Sequence, residues 1–234
     1  MKSVKNKWGI HFLFRMWVAV AVLTVTVSSC LEDDEYEVDE LLFAIGNVRI
    51  IEGNDYYFEL DEGSKLYPGD TTAISNYPLV ENQRAFVYFT LLEQALPGYE
   101  YNAALKHVEN ILTKDIHKMT PEEEDSIGHD RIDVDNIWLT EDYVNIVYRF
   151  YHSNNAEKKH MLNLVVNENA SASDDGFLHL EFRHNAYNDT PLQGGNGIVS
   201  FRLDSIRDQL DKYEGLCIRA YTLYQGENDF FVKK

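Results

Sequence analysis

The chain has 234 residues, 21 of them basic and 39 acidic, for a formal net charge of −18 at neutral pH. Hydrophobic residues make up 44% and aromatics 13%, which supports a packed core and excludes a disordered chain. Binding of phosphate backbones relies on Lys and Arg, so this acidity argues against a nucleic-acid partner and against adhesion of the body to anionic lipid.

The first element is an export signal. Lys2, Lys5, Lys7 and Arg15 give a positive start, and Met16 to Val27 carries no charge. That run is shorter than the roughly 20 apolar residues a membrane-spanning helix needs, and small residues follow it, as in a secretory signal peptide over residues 1–29. Val27-Ser28-Ser29-Cys30 resembles a bacterial lipobox. In that resemblance Cys30 is the lipidation site, the signal is cut ahead of it and the new amino terminus is acylated. Each buried lipid methylene contributes about 0.8 kcal/mol and a single chain holds only marginally, so two or three chains on one cysteine anchor stably. Without residues 1–29 the chain keeps 17 basic and 39 acidic residues, a formal −22.

Residues 30–40 hold Glu32, Asp33, Asp34, Glu35, Glu37, Asp39 and Glu40. Such a run repels itself and reads as a solvated tether. Acids directly behind a lipidated cysteine also resemble the surface-export signal of one group of two-membrane bacteria. Leu31 stands where the best-known inner-membrane retention residue, Asp, would be. The expected location is the outer membrane, lipid-anchored, at the cell surface or on the periplasmic face.

A first block of strands, residues 41–119, follows. "LLFAIGNVRII" and "YYFELDEG" flank Gly53-Asn54 and read as a hairpin. Asp61-Glu62-Gly63 turns into "KLYPG", and "RAFVYFTLLE" is a further strand with Phe86, Tyr88 and Thr90 on one face. "YNAALKHVENILTKDI" fits helical spacing as well as a strand, and its place after hairpins favours the strand. In residues 120–129, Thr120 can cap, Pro121 suits a first helical position, acids fill the first turn and Gly128 can stop it; this predicts a short helix linking two domains. In residues 130–234, "RIDVDNIWL", "YVNIVYRFY", "HMLNLVVNE", "FLHLEFRH", "GIVSFRL" and "LCIRAYTLY" are short strands separated by turns such as Asp174-Asp175-Gly176. Their regular spacing predicts a sandwich or barrel, and "SIRDQLDKY" one helical turn.

No metalloprotease, paired-cysteine, nucleophile-elbow, phosphate-loop or EF-hand motif occurs. Asp133-Val-Asp135 resembles a calcium-loop fragment, but its neighbours alternate as a strand. The eight histidines include no pair at i,i+4, so no metal and no cofactor is expected. "HLEFRHNAYND" is the one dense polar segment. On a strand, Leu178, Leu180 and Phe182 face one way and His179, Glu181 and Arg183 the other. That polar face reads as a solvated strand surface with a cross-strand ion pair, or else as a general acid/base or ligand site. With Cys30 lipidated, Cys217 has no disulfide partner; between apolar neighbours it reads as a buried thiol.

"VSSCLEDDEY", "DRIDVDNIWLTEDYVNIVYRF", "DDGFLHLEFRHNAYND" and "GIVSFRL" resemble the NigD-like lipoproteins over almost the whole mature chain. The departures are a longer acidic lead and a Gly-poor loop near Pro97-Gly98. The resemblance implies an all-β chain, an N-terminal OB-like barrel followed by a C-terminal immunoglobulin-like β-sandwich. Bacteriocin immunity has been suggested for that family and no catalytic residues are established in it. It implies a non-enzymatic envelope protein, held to the membrane by its lipid, that binds a protein or peptide partner. A glycan-binding accessory lipoprotein using Trp138 or Tyr187 is the alternative.

Overall fold

The computed structural model describes residues 40–167 and 175–234. The expected signal peptide, Cys30 and nearly all of the acidic tether, together with Asp174, lie outside the described residues.

Residues 42–110 form a closed barrel of β1 (Leu42–Glu52), β2 (Asp55–Leu60), β3 (Lys65–Asp70), β4 (Arg84–Leu91) and β5 (Tyr101–Asn110), in the order β1-β2-β3-β5-β4. The expected turns are present: Gly53 and Gly63 take φ of 57° and 90°, a region open to glycine without steric penalty. The β3–β5 pair is parallel and the others antiparallel. Val48, Phe58, Leu66, Val87 and Leu105 fill the interior, each contributing about 1.5–3 kcal/mol on burial. In β4 the inward set is Ala85, Val87 and Phe89, so Phe86 and Tyr88 stand on the outside. The segment open to either helix or strand is β5.

The sandwich stacks a five-stranded sheet, β14-β13-β11-β10-β7, on a four-stranded sheet, β6-β12-β9-β8. Its strands are β6 (Leu112–Asp115), β7 (His117–Met119), β8 (Asp133–Leu139), β9 (Tyr143–His152), β10 (Met161–Asn167), β11 (Phe177–Asn185), β12 (Gln193–Arg202), β13 (Gly215–Thr222) and β14 (Gly226–Lys233). Ile132, Ile146, Leu164, Leu180, Phe182, Phe201 and Ile218 meet between the sheets. Residues 112–119, grouped above with the barrel, pair instead with the sandwich. β6 runs parallel to β12 and β7 parallel to β10. These partners lie some fifty to ninety positions downstream, beyond the reach of local periodicity. β14 is a further strand that the sequence reading did not separate.

The linker is helical at Pro121–Glu123 and Glu124–Ile127. Thr120 and Glu123 form a capping box, each side chain satisfying the other residue's backbone N–H. Gly128, at φ 83°, ends the helix; a Cβ there would lie 2.6 Å from Asn185 Cβ, so both conformation and packing require glycine.

Barrel and sandwich meet at Arg84, which is fully buried. Its Nη1 and Nη2 each donate to Asp61 at 2.7 Å, Nη2 also to Asn145 Oδ1 at 2.8 Å, and Nε to Ser200 Oγ at 2.8 Å. Ser200 donates to the same Asn145 oxygen at 2.7 Å, and the guanidinium carbon lies 4.2 Å from the Tyr143 ring centroid. Replacing Arg84 with Met leaves the Asp61 carboxylate without its guanidinium partner and Asn145 Oδ1 with Ser200 alone as donor. The expected loss is about 3–5 kcal/mol of unfolding free energy, measured by urea denaturation, with part of it regained in Arg84→Met/Asp61→Asn.

Candidate functional site

The "HLEFRHNAYND" segment is divided among three environments. His179 is half-buried and bonds Asp175 through Nε2 at 2.8 Å. Arg183 does not face solvent as expected of a strand surface: it is 4% exposed, because the 120–129 linker lies over its end of β11. Glu181 Oε2 sits 3.0 Å from its Nε and Glu124 Oε1 3.2 Å from Nη2. Nη1 donates to His129 Nδ1. His129 in turn stacks on Tyr221 at 4.9 Å between centroids. These groups border a cleft that Arg219 also lines, but Arg219 is held by both oxygens of Asp229 at 2.7 and 2.9 Å. The bidentate pair raises the Arg219 pKa and lowers that of Asp229. The two guanidiniums in this cleft are thus neutralised from within.

The third environment is a buried chain of polar rings. His184 Nδ1 contacts Arg131 O at 3.0 Å, His184 Nε2 contacts His160 Nδ1 at 2.8 Å, and His160 Nε2 contacts Asp189 Oδ2 at 3.1 Å. Phe150 packs on both rings. The turn that returns Asp189 to His160 uses two consecutive left-handed residues, Tyr187 at φ 48° and Asn188 at φ 56°. A carbonyl and a carboxylate can only accept, so His184 donates from Nδ1 to Arg131 O and His160 donates from Nε2 to Asp189, and a proton between the two rings completes the remaining contact. Ser153 N–H also donates to Asp189 at 2.8 Å. The Ser153 hydrogen bonds, joined by that of His160, hold the Asp189 carboxyl well below the usual range. Burial pushes the His184 imidazole below its ordinary value. The chain has the look of a general-base relay, yet it begins at a carbonyl and ends at a backbone N–H. As built, it clamps the 129–131 segment and the 153 and 189 turns onto β10 and β11.

Sequence reasoning missed this chain because His160 and His184 are far apart in sequence and meet only through the β10–β11 register, in which Leu162 pairs with His184. It also missed Arg84, which looked like the ordinary polar start of a strand.

Aromatic residues outside the barrel form two groups. Phe43, 69% exposed, stacks on Phe86, which meets Tyr88 and then His107. Tyr99 meets Tyr57 and Tyr67. Tyr187 is exposed, whereas Trp138 is half-buried in β8. Asp135 is held by Arg149 at 2.7 Å, and Asp133 accepts from Leu223 N. Among the described residues no group of three or more His, Cys, Asp or Glu could hold a metal ion. Cys217 is buried, and burial raises its thiol to about 11, so it is inert as a nucleophile at neutral pH.

A closed five-stranded barrel joined through one buried arginine to a two-sheet sandwich defines a two-domain, all-β protein. The NigD-like N-terminal OB domain family matches residues 45–111 and the NigD-like C-terminal beta sandwich domain family residues 115–233. The chain belongs to the NigD-like family. Among solved structures, it is 30% identical to a protein from Parabacteroides distasonis described as toxin related, with 83% of this chain and 93% of that one covered and a TM-score of 0.68. It is 26% identical to a protein of unknown function from Bacteroides vulgatus, covering 83% and 91%, TM-score 0.72. A NigD-like immunity protein from Bacteroides caccae shares the fold at 18% identity, covering 84% and 92%, TM-score 0.57. No curated protein matches the chain.

The ring chain fixes a pH response. His184 has a lower pKa folded than unfolded, so below about pH 6.5 the unfolded chain binds more protons and stability falls with acidification. Asp189 has a depressed folded pKa, so its contribution, complete above about pH 4, is lost as pH falls further. Urea denaturation at stepped pH is expected to show both declines. His184→Gln, which keeps one donor and one acceptor, flattens the first, and Asp189→Asn flattens the second.

Proposed function

We propose that this protein is a non-enzymatic, lipid-anchored protein of the outer membrane that binds a protein or peptide partner, with bacteriocin immunity as its role. The observation that carries the reading is the distribution of charge. The guanidiniums of the Arg183 cleft and the buried rings are committed to internal partners, while the chain beyond residue 29 carries a formal −22. A body of that kind is suited to capturing a cationic polypeptide, with opposite charge steering encounter. A lipid tether at Cys30 would raise its effective concentration at the envelope. The NigD-like membership and the toxin-related relative from Parabacteroides distasonis support the same direction.

Deleting the gene is expected to sensitise the producing strain to a basic bacteriocin encoded nearby, scored as a fall in minimal inhibitory concentration; unchanged sensitivity rejects immunity. Cys30→Ser is expected to abolish incorporation of labelled palmitate and to release the protein from the membrane fraction. Protease shaving of intact cells distinguishes surface from periplasmic placement.

A second reading, glycan binding, draws on Tyr57, Tyr67 and Tyr99, whose rings cluster on the outside of the barrel, and on exposed Tyr187. Calorimetry against a polysaccharide panel tests it, and silence across the panel removes it.

A further inference from the structure

One end of the barrel carries an apolar patch on its outer wall. Leu41, Phe43, Leu91 and Leu92 are 58%, 69%, 49% and 36% exposed, and the strand register gathers them. Leu42 packs against the barrel core, so its neighbours Leu41 and Phe43 face outward. Leu42 pairs with Phe89 and Phe43 with Tyr88, which brings Leu91, at the end of β4, beside the start of β1. Leu92 follows it and donates its N–H to Asn102 O, at the start of β5, at 2.8 Å. Phe86 and Tyr88 extend the patch along the wall, with Phe43 stacked on Phe86 at 5.4 Å and Phe86 against Tyr88 at 4.9 Å. Lys106, His107, Glu93 and Glu109 stand around it, all exposed, so the rim holds both signs of charge. A contiguous apolar patch with a polar rim marks a surface that meets something other than water.

Two features of the chain path say what that is. Only ten residues, 31–40, separate Cys30 from Leu41, and fully extended they reach roughly 35 Å. The anchored end of the chain therefore leads directly into the patch. The sandwich is attached at the other end of the same wall: Arg84, which joins the domains, begins β4, and Leu91 ends it.

We infer that this end of the barrel seats in the lipid bilayer that holds the anchor, with Leu41, Phe43 and Leu91 at the boundary of headgroups and acyl chains and the sandwich held away from the surface. The inference rests on the lipid-anchor reading above and adds an orientation to it. A few apolar side chains do not hold a protein on a membrane from dilute solution. A short tether gives them an effective concentration on the order of millimolar, at which a weak insertion is populated. Rings with a polar tip, such as Tyr88, suit the membrane interface. The contact is made by apolar groups and not by charge, as it must be for a body whose formal −22 repels anionic lipid. The Tyr57–Tyr67–Tyr99 group stands on β2, β3 and the loop before β5, outside the β1–β4 wall, and is left to a partner.

The test uses the full lipidated chain in phosphatidylcholine vesicles containing brominated phosphatidylcholine, which quenches tryptophan at short range. One probe is Phe43→Trp on the patch; the other is Phe231→Trp on β14 of the sandwich, also at an exposed position. The Trp138 background is subtracted with the unaltered chain. Insertion to the depth of an interfacial segment is expected to quench the Phe43→Trp probe roughly threefold more than the Phe231→Trp probe. Added salt is expected to leave the difference intact, and Leu41→Ser/Leu91→Ser in the Phe43→Trp chain to reduce it by about half, because contact by apolar groups is not screened. Equal quenching of the two probes overturns the inference, and so does a difference that salt abolishes. A Phe43→Trp probe that is blue-shifted yet unquenched is covered by protein, its own tether or a second copy, and overturns it too. Labelled palmitate separates the two readings: incorporation without preferential quenching removes the docking and leaves the anchor, whereas no incorporation removes both.

Discussion

The structure depends on one guanidinium withdrawn from water. Arg84 begins a barrel strand, and its side chain leaves the barrel wall to join Asp61 of the same domain to Asn145 and Ser200 of the other. A buried charge is tolerated only when its hydrogen-bonding capacity is met, and here every partner sits on a regular element or tight turn. Asn145 and Ser200 face each other across the β9–β12 pair, so the sandwich presents them as a preset acceptor pair. Charged hydrogen bonds are directional, which makes this contact a register mark between domains where an apolar interface would allow sliding. The chain passage reinforces it: Ile111, the residue between β5 and β6, is buried and donates its N–H to Arg84 O.

Much of the fold was legible because half-buried antiparallel strands write their exposure into alternate positions. Leu178, Leu180 and Phe182 are buried as the period-two pattern requires, and Thr120, Pro121, Glu123 and Gly128 mark the linker helix residue by residue. Legibility failed where a second layer changed what a face meets. Arg183 and His184 are consecutive, yet both are buried, since the linker covers one side of β11 as the opposite sheet covers the other. Strands β6 and β7 failed for a related reason. Each is only four or three residues long, and each belongs to the sandwich through parallel pairings with distant partners, information that no local window contains.

The polar groups follow the same division. His179, Glu181 and Arg183 were visible as a cluster because they are neighbours in sequence; His179 pairs with Asp175, and the further partners of Arg183, Glu124 and His129, come from the linker. His184 and Asp189 lie in the same dense segment, but His160, which joins them, comes from another strand end and gave no such signal. Buried Asn47 of β1 was invisible for a different reason. It looks like any polar residue on the outward face of a strand, and only the docking of the sandwich over that face buries it.

On the proposed reading these contrasts assign different tasks to the two domains. The sandwich turns its polar clusters inward and spends them on holding loops in place. The barrel keeps its unsatisfied groups outside: the Phe43–Phe86–Tyr88 stripe, the Tyr57–Tyr99–Tyr67 group and, with the β8–β9 turn, a cleft at the domain junction lined by carboxylates. Barrels of this type that take single-stranded nucleic acid combine stacking rings with a basic groove. Here rings are present and the basic groove is replaced by carboxylates, which repel phosphate and favour ammonium or guanidinium groups. Aromatic residues carry much of the energy of protein interfaces, while peripheral charge sets the rate and the selection of partner. A surface with both, held rigid by a buried arginine, is matched to a basic polypeptide with apolar side chains of its own.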